Sequence, residues 1–434
     1  MTRQGSRGDA TGWIPLLGDD PRRRAIEAAI EEILALLASR DFTHPTLTGG
    51  SAGAALLFDY AQGMACEASR LRRSEELQAA SIERMSGLEP SWSLYGGHPG
   101  VGWAIEQLAS RTSSSGPSDD LCEDLDEFLL ELLRTDPWPF HFDLISGLVG
   151  VGVYGNDRRS RPAGHSIVDA VLDRLAGLAR REGRGVAWYS PRSILPAEHH
   201  EFACAGYFDL GIAHGNAGVI SWLGEVLKRR PGLDRAEEFL AGGVGWLLDH
   251  RLPPGSGSSF ATRIGDGIEP RPSRVAWCYG DLGVVVGLLN AACASRDPFW
   301  RDEATRMGLA VCEREMSTSG IEDPGLCHGA AGVAHLFNRL FQATGLATFR
   351  NAALRSFDLL LAMRRPGEGL AGFTTVRGGG EGQPSERVAD ESLLTGVTGI
   401  ALAMQAAVST VEPAWDGLLL ASLPVGALRT SSGP

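Results

Sequence analysis

Seven segments of the chain place apolar residues at intervals of three and four, the period of a helix that buries one face. They lie near residues 22–38, 71–85, 120–134, 166–181, 234–251, 301–316 and 348–365, and RRRAIEAAIEEILALLA is the first of them. Each carries a charged opposite face, which predicts a surface helix. A second kind of segment recurs between them: a Gly-x-x-Gly pair followed by an Ala- and Gly-rich apolar run with no polar face. The pairs are Gly50/Gly53, Gly97/Gly100, Gly147/Gly150, Gly215/Gly218, Gly280/Gly283, Gly329/Gly332 and Gly396/Gly399. Their first glycines stand 47, 50, 68, 65, 49 and 67 residues apart, enough for one helical hairpin and a variable loop. This alternation predicts an all-α fold, an α/α toroid of seven inner and seven outer helices. With the inner helices parallel, the glycine turns gather at one end of the barrel and their free N–H groups face a common cavity.

The remaining stretches read as loops. Residues 112–120 form a polar linker, and 367–386 form a glycine-rich surface loop. Residues 183–211 and 253–274 lack helical period and carry turn residues; the first is a candidate for a small β-containing insertion. No composition shift marks a second globular unit. The expected organisation is an N-terminal extension over 1–21, one barrel domain over 22–423 and a C-terminal tail over 424–434.

Charge narrows the function. With 40 Lys+Arg against 53 Asp+Glu the net charge is -13, and no basic cluster offers the positive surface that nucleic acid requires. The first residues lack the apolar core of a secretory signal, and no run of about 18 apolar residues exists to span a membrane. The seven cysteines are an odd number without small-scaffold spacing, so a reduced, cytoplasmic thiol set is expected. Cys66, Cys122, Cys204, Cys293 and Cys312 lie on or near apolar helix faces and read as small buried hydrophobes.

Cys278 and Cys327 differ, because each stands two residues before the first glycine of its pair, in adjacent repeats. A shared register in a ring puts them side by side, and His328 follows directly. Two thiolates and an imidazole suit one zinc ion and leave its fourth position open, the mark of a catalytic site. Two thiolates also cancel the charge of the ion, so a bound thiol stays electron-rich; this favours thiol alkylation over hydrolysis. Three further groups belong to neighbouring turns. His214 has the register of His328 and suits a general acid for a developing carbanion. Asp143 can orient or charge that imidazole, and Arg274 can stabilise an enolate oxygen or hold Asp143. The plainer alternatives are a turn-capping histidine, a helix N-cap and a structural ion pair. Tyr95 and His98 are candidates to line the cavity, His335 reads as core, and His199 and His200 as a solvated pair.

The motifs DLISG, AHGNAG, WCYG and CHGAAG, in the third to sixth repeats, and WDGLLLASL (415–423) resemble those of the lanthionine synthetase C-like cyclases, a resemblance that runs through all seven repeats. The resemblance implies an α/α toroid with zinc on Cys278, Cys327 and His328. It also implies that His214, Asp143, Tyr279 and Arg274 surround the metal as functional residues. The implied reaction joins cysteine thiols to dehydroalanine or dehydrobutyrine within a ribosomal peptide, forming (methyl)lanthionine rings by intramolecular Michael-type addition. The implied partners are a dehydrated, leader-bearing precursor peptide, a separate dehydratase, and optionally a transporter. A cytoplasmic location, or a peripheral one in a membrane-side complex, fits that set. Two rivals keep the zinc: addition of glutathione or another free thiol to dehydrated residues, and a non-catalytic peptide scaffold with structural zinc. Prenyltransferases share the barrel and a zinc thiolate but not these turns, and barrel glycosidases need paired carboxylates where these turns offer mainly Asp143 and Asp281.

Overall fold

The computed structural model describes residues 12–61, 67–111, 120–315, 318–378 and 385–429. The first seven helices are α1 (Arg23–Ala38), α2 (Ser51–Tyr60), α3 (Glu67–Met85), α4 (His98–Arg111), α5 (Glu123–Leu132), α6 (Leu148–Asp157) and α7 (Pro162–Leu178). The second seven are α8 (Asn216–Arg229), α9 (Asp234–Asp249), α10 (Asp281–Ser295), α11 (Pro298–Cys312), α12 (Ala330–Thr344), α13 (Ala347–Met363) and α14 (Val397–Val408). The odd-numbered helices are the amphipathic segments, displaced from their expected bounds by a few residues. In α1 the buried positions Ile26, Ala29, Ile30, Ile33, Leu34 and Leu37 form one stripe, whereas every residue of α2 and of α14 is buried.

The even-numbered helices form a closed inner ring, each touching the next and α14 touching α2. Each of α2, α4, α6, α8, α10 and α12 also packs against the outer helix that follows it, and α1 covers α14, so the two ends of the chain seal the ring. The fold is an α/α toroid with, among the described residues, seven helices in each layer.

Both glycines of each pair have a structural cause. The first sits extended at the helix N-cap, as Gly280 (φ -169°, ψ 158°) and Gly329 (φ -103°, ψ -176°) do. The second lies in the first turn, against the loop that feeds the helix. A Cβ on Gly283 would collide with the Trp277 carbonyl, and one on Gly332 with that of Leu326. Only glycine lets the loop fold back this tightly.

The loops are then laced together around the ring. In every repeat the carbonyl two residues before the first glycine accepts a hydrogen bond from an adjacent repeat. The backbone N–H donors are Thr48 to Tyr95 (3.0 Å), Leu144 to Ala213 (3.1 Å), Ile212 to Cys278 (3.1 Å), Cys278 to Cys327 (3.2 Å), Cys327 to Leu394 (2.8 Å) and Leu393 to Thr48 (3.0 Å). The Ser93 hydroxyl donates to Ile145 (2.9 Å) and completes the circle. All seven inner helices therefore start at the same end and run parallel.

The bore is filled from the other end by residues after α14. Asp416 is fully buried, accepting from His335 Nε2 at 2.8 Å and from Arg339 Nη2 at 3.0 Å. The Leu418 and Leu419 carbonyls accept from the Tyr95 hydroxyl (2.8 Å) and Trp277 Nε1 (2.9 Å), so this segment reaches the underside of the glycine turns. Asp416→Ala would leave the fully buried Arg339 with only Glu412 as a carboxylate partner. It should cost about 3–5 kcal/mol, read from guanidinium unfolding. Burial alone would raise the Asp416 pKa, but Arg339 and His335 pull it down to about 2 from the ordinary 3.8. The contribution of this carboxylate is thus complete above about pH 4 and is lost as pH falls towards 2.

The two long loops meet in one small sheet. Strands β1 (Ala179–Glu182) and β2 (Gly185–Trp188) form a hairpin, while β3 (Ser190–Pro191), β4 (Gly206–Asp209) and β5 (Arg263–Ile264) form a separate three-stranded antiparallel sheet. The first loop thus carries β-structure as expected, and the second unexpectedly contributes its edge strand. Part of the glycine-rich loop also carries β-structure that was not expected: β6 (Thr375–Gly378) pairs with β7 (Ser385–Val388). Its residues 379–384 lie outside the described residues, as do 112–119 of the polar linker. No described helix is long and apolar enough to cross a membrane.

Candidate metal centre

The backbone bond from Cys278 N–H to the Cys327 carbonyl brings the two matching turns edge to edge at the open end of the ring. Cys278 Sγ, Cys327 Sγ and a ring nitrogen of His328 all lie within 4.8 Å of one another, and they are the one such group among the described residues. Cys278 Sγ is 4.0 Å from His328 Nδ1. The donor-to-donor edge of a tetrahedron with bonds of about 2.3 Å is about 3.8 Å, so the donor set and its spacing fit a zinc ion.

The surroundings reinforce that fit. Asp323 Oδ2 lies 3.2 Å from His328 Nε2, on the other side of the ring from Nδ1 and the Cys278 sulfur, where a carboxylate suits a metal-binding imidazole. Burial opposes a charge on His328, but Asp323 and the Cys278 sulfur outweigh it and raise its pKa to about 9. The Cys278 thiol is held well below its ordinary value by a hydrogen bond from Cys327, then by His328 and by Arg274, whose Nη2 stands 3.7 Å from the sulfur. Cys327, as the donor of that pair, is correspondingly raised. Without a cation the cluster thus shares one thiolate between the Cys327 thiol, His328 and Arg274, and a metal ion would take the place of the protons on Cys327 and His328.

The next turn along carries His214. Its Nδ1 is 2.6 Å from Asp143 Oδ2, and the other Asp143 oxygen accepts the Ser146 N–H at 2.7 Å. Asp143 is 3% exposed; it shapes its own turn and holds the imidazole of the neighbouring repeat, but it is not the helix N-cap, a position that Gly147 takes. Burial lowers the proton affinity of His214, yet the Asp143 hydrogen bond and charge prevail and its pKa is raised. Tyr279 stacks on His214 with centroids 5.6 Å apart and planes at 17°; burial raises its hydroxyl pKa, so it stays a neutral phenol. Arg274 faces the Cys278 sulfur, and among the described residues it has no ion pair to Asp143.

The other candidates fall elsewhere. Tyr95 turns inward to the Leu418 carbonyl, and His98 Nδ1 accepts from the Ser91 backbone at 3.3 Å. His335 is core, as expected. His199 and His200 are not a solvated pair: His199 Nδ1 meets the Tyr207 hydroxyl at 2.9 Å and His200 Nε2 lies 3.0 Å from the Arg192 carbonyl. Cys122 and Cys312 are buried and Cys293 half-buried, but Cys204 is exposed; Cys66 lies outside the described residues.

Sequence reasoning missed Asp323 and Asp209. Both stand six residues before the first glycine, as does Asp390, and in all three one carboxylate oxygen accepts the N–H two residues on, at 2.8–2.9 Å. That recurrence was the available signal. Asp209 is 1% exposed, its Oδ2 has no hydrogen-bond partner, and burial pushes its pKa up to about 6.

A profile of the lanthionine synthetase C-like protein family matches residues 41–420. Among solved structures, nisin cyclase superposes with a TM-score of 0.73 at 18% identity, over 92% of this chain and 98% of that one. A stretch of 139 residues is 30% identical to glutathione S-transferase LANCL1 of Danio rerio; it covers 31% of this chain and 31% of that protein, so the likeness spans about a third of the relative's length. With a profile match running through all seven glycine turns, the chain belongs to the lanthionine synthetase C-like family.

Proposed function

We propose that this protein is a zinc-dependent lanthipeptide cyclase, joining peptide cysteines to dehydroalanine or dehydrobutyrine in the same peptide. The convergence of Cys278, Cys327 and His328 beside the His214–Asp143 pair carries this reading. One zinc ion held by those three residues would act as a Lewis acid for a substrate thiol, favouring its thiolate without making it a poor nucleophile.

The remaining steps belong to the chain itself. The thiolate adds to the β-carbon of the dehydro residue, a C–S bond forms, and charge moves to the adjoining carbonyl oxygen as an enolate. Arg274, whose Nη2 lies 3.7 Å from the Cys278 sulfur, would stabilise that charge. His214 then delivers a proton to the α-carbon through Nε2, since Nδ1 is held by Asp143; the proton lost by the thiol restores the balance. Tyr279 keeps the imidazole plane in place by stacking. Asp143→Asn should leave zinc content unchanged and slow ring closure about 10-fold or more, less than loss of His214 itself, as measured in single turnover.

Residues 22–423 serve in this reading as one catalytic domain. The dehydrated precursor comes from a separate dehydratase, in the cytoplasm or in a membrane-side complex with a transporter. Incubation with a dehydrated, cysteine-containing precursor tests it. Ring closure leaves mass unchanged, so loss of thiol alkylation by mass spectrometry is the expected signal, and persisting alkylation would overturn the reading. The partial likeness to a glutathione S-transferase supports one alternative, addition of glutathione to the dehydro residue, which would instead raise the mass by that of glutathione.

A further inference from the structure

The three-stranded sheet brings a row of stacked groups to the candidate site. Phe202, 41% exposed, lies nearly parallel to Tyr207 at 14°, with centroids 6.4 Å apart. The Arg263 guanidinium lies 5.0 Å from each of these two ring centroids and 6.0 Å from that of Tyr279. Tyr279 in turn stacks on His214. The row therefore runs from solvent at Phe202 to the proposed acid.

Two of its members are incompletely used. Arg263 is half-buried, yet among the described residues no hydrogen bond or ion pair engages its guanidinium. Its cross-strand neighbour is Asp209, whose carboxylate turns instead to the Gly211 N–H. Stacking on rings occupies the guanidinium's faces and leaves its in-plane N–H donors available to an acceptor. Phe202 is one of few large apolar side chains exposed among the described residues, and it sits beside those donors. An aromatic face next to unpaired donors matches an apolar side chain followed by a backbone carbonyl, the recurring unit of a peptide.

We propose that Phe202, Tyr207 and Arg263 form a substrate subsite that holds an aromatic or large aliphatic side chain and an adjacent carbonyl oxygen of the peptide, near its reacting cysteine and dehydro residue. This rests on the cyclase reading for its substrate. It makes these residues determinants of which ring segments bind, and of how the segment enters alongside His214.

The test uses the zinc-loaded full chain and a fluorescein-labelled peptide with one dehydroalanine and one S-methylcysteine flanking a phenylalanine. S-methylation blocks reaction, so anisotropy reads binding alone. Phe202→Ala should weaken binding about tenfold, and so should changing the peptide phenylalanine to serine. The two changes together should cost little more than either one, because they remove the same contact. Arg263→Gln should weaken both peptides about tenfold, and Arg263→Lys should recover part of the loss. Zinc content and unfolding midpoint serve as controls; should Arg263→Gln misfold, the Phe202 cycle decides. Unchanged affinity in Phe202→Ala, fully additive losses, or no binding by the wild type would overturn the subsite. Phe202-dependent binding without ring closure of the unmethylated peptide would keep the subsite and overturn the cyclase reading alone.

Discussion

The Cys278→Ala, Cys327→Ala double variant is expected to lose the metal entirely, falling from about one zinc per chain to trace amounts, and to lose ring closure with it. Two of the three donors disappear, and His328 with Asp323 cannot hold zinc at a site that now lacks both thiolates. The fold should survive. The turns bearing both cysteines are fixed by backbone bonds and by packing of α10 and α12, none of which needs sulfur. Metal analysis and circular dichroism on the same sample separate the two outcomes. Full zinc occupancy in the double variant would remove these residues from the site.

His214→Asn is the second large effect. It should keep zinc and keep thiol binding while ring closure slows by about 10²–10⁴-fold, the usual contribution of a positioned acid. The pH profile adds a sign. Because the His214 pKa is raised by Asp143, the imidazolium persists above its ordinary range, and the rate of protonation should fall only as pH climbs through that raised value. In Asp143→Asn the same limb should move to lower pH, since burial then acts on the imidazole with only the more distant Asp209 and Cys278 charges opposing it. Cyclisation by His214→Asn at the wild-type rate would take histidine out of the mechanism. Loss of zinc would make His214 a ligand and displace His328 from that role.

Much of this architecture could be read without coordinates. Seven amphipathic segments alternating with seven glycine-led apolar ones are local patterns, and each kind became its expected layer. The shared position of Cys278 and Cys327 was legible for the same reason: in a ring of repeats, equal distance from the first glycine means equal height on the barrel. The expected exposure of His199 and His200 and the expected burial of Cys204 failed because these residues lie in the long loop before α8, where no period constrains which side chains pack.

By itself, then, the sequence determined the repeat number, the two helix classes, the turn register and the residues fit to bind a metal, since these depend on spacing over a few residues. Tertiary structure decided between the partners that the sequence left open for side chains in neighbouring turns. The Asp143–His214 bond spans 71 positions, and the orientation of His214 follows from it. The filling of the bore by residues 415–423 joins Tyr95 to Leu418 across 323 positions. The sheet that carries Tyr207 and Arg263, with Phe202 stacked on Tyr207, needs two separate loops to meet. Each of these contacts joins residues far apart in the chain once the ring has closed, and the bore filling and the sheet lie in segments without a repeat pattern to place them.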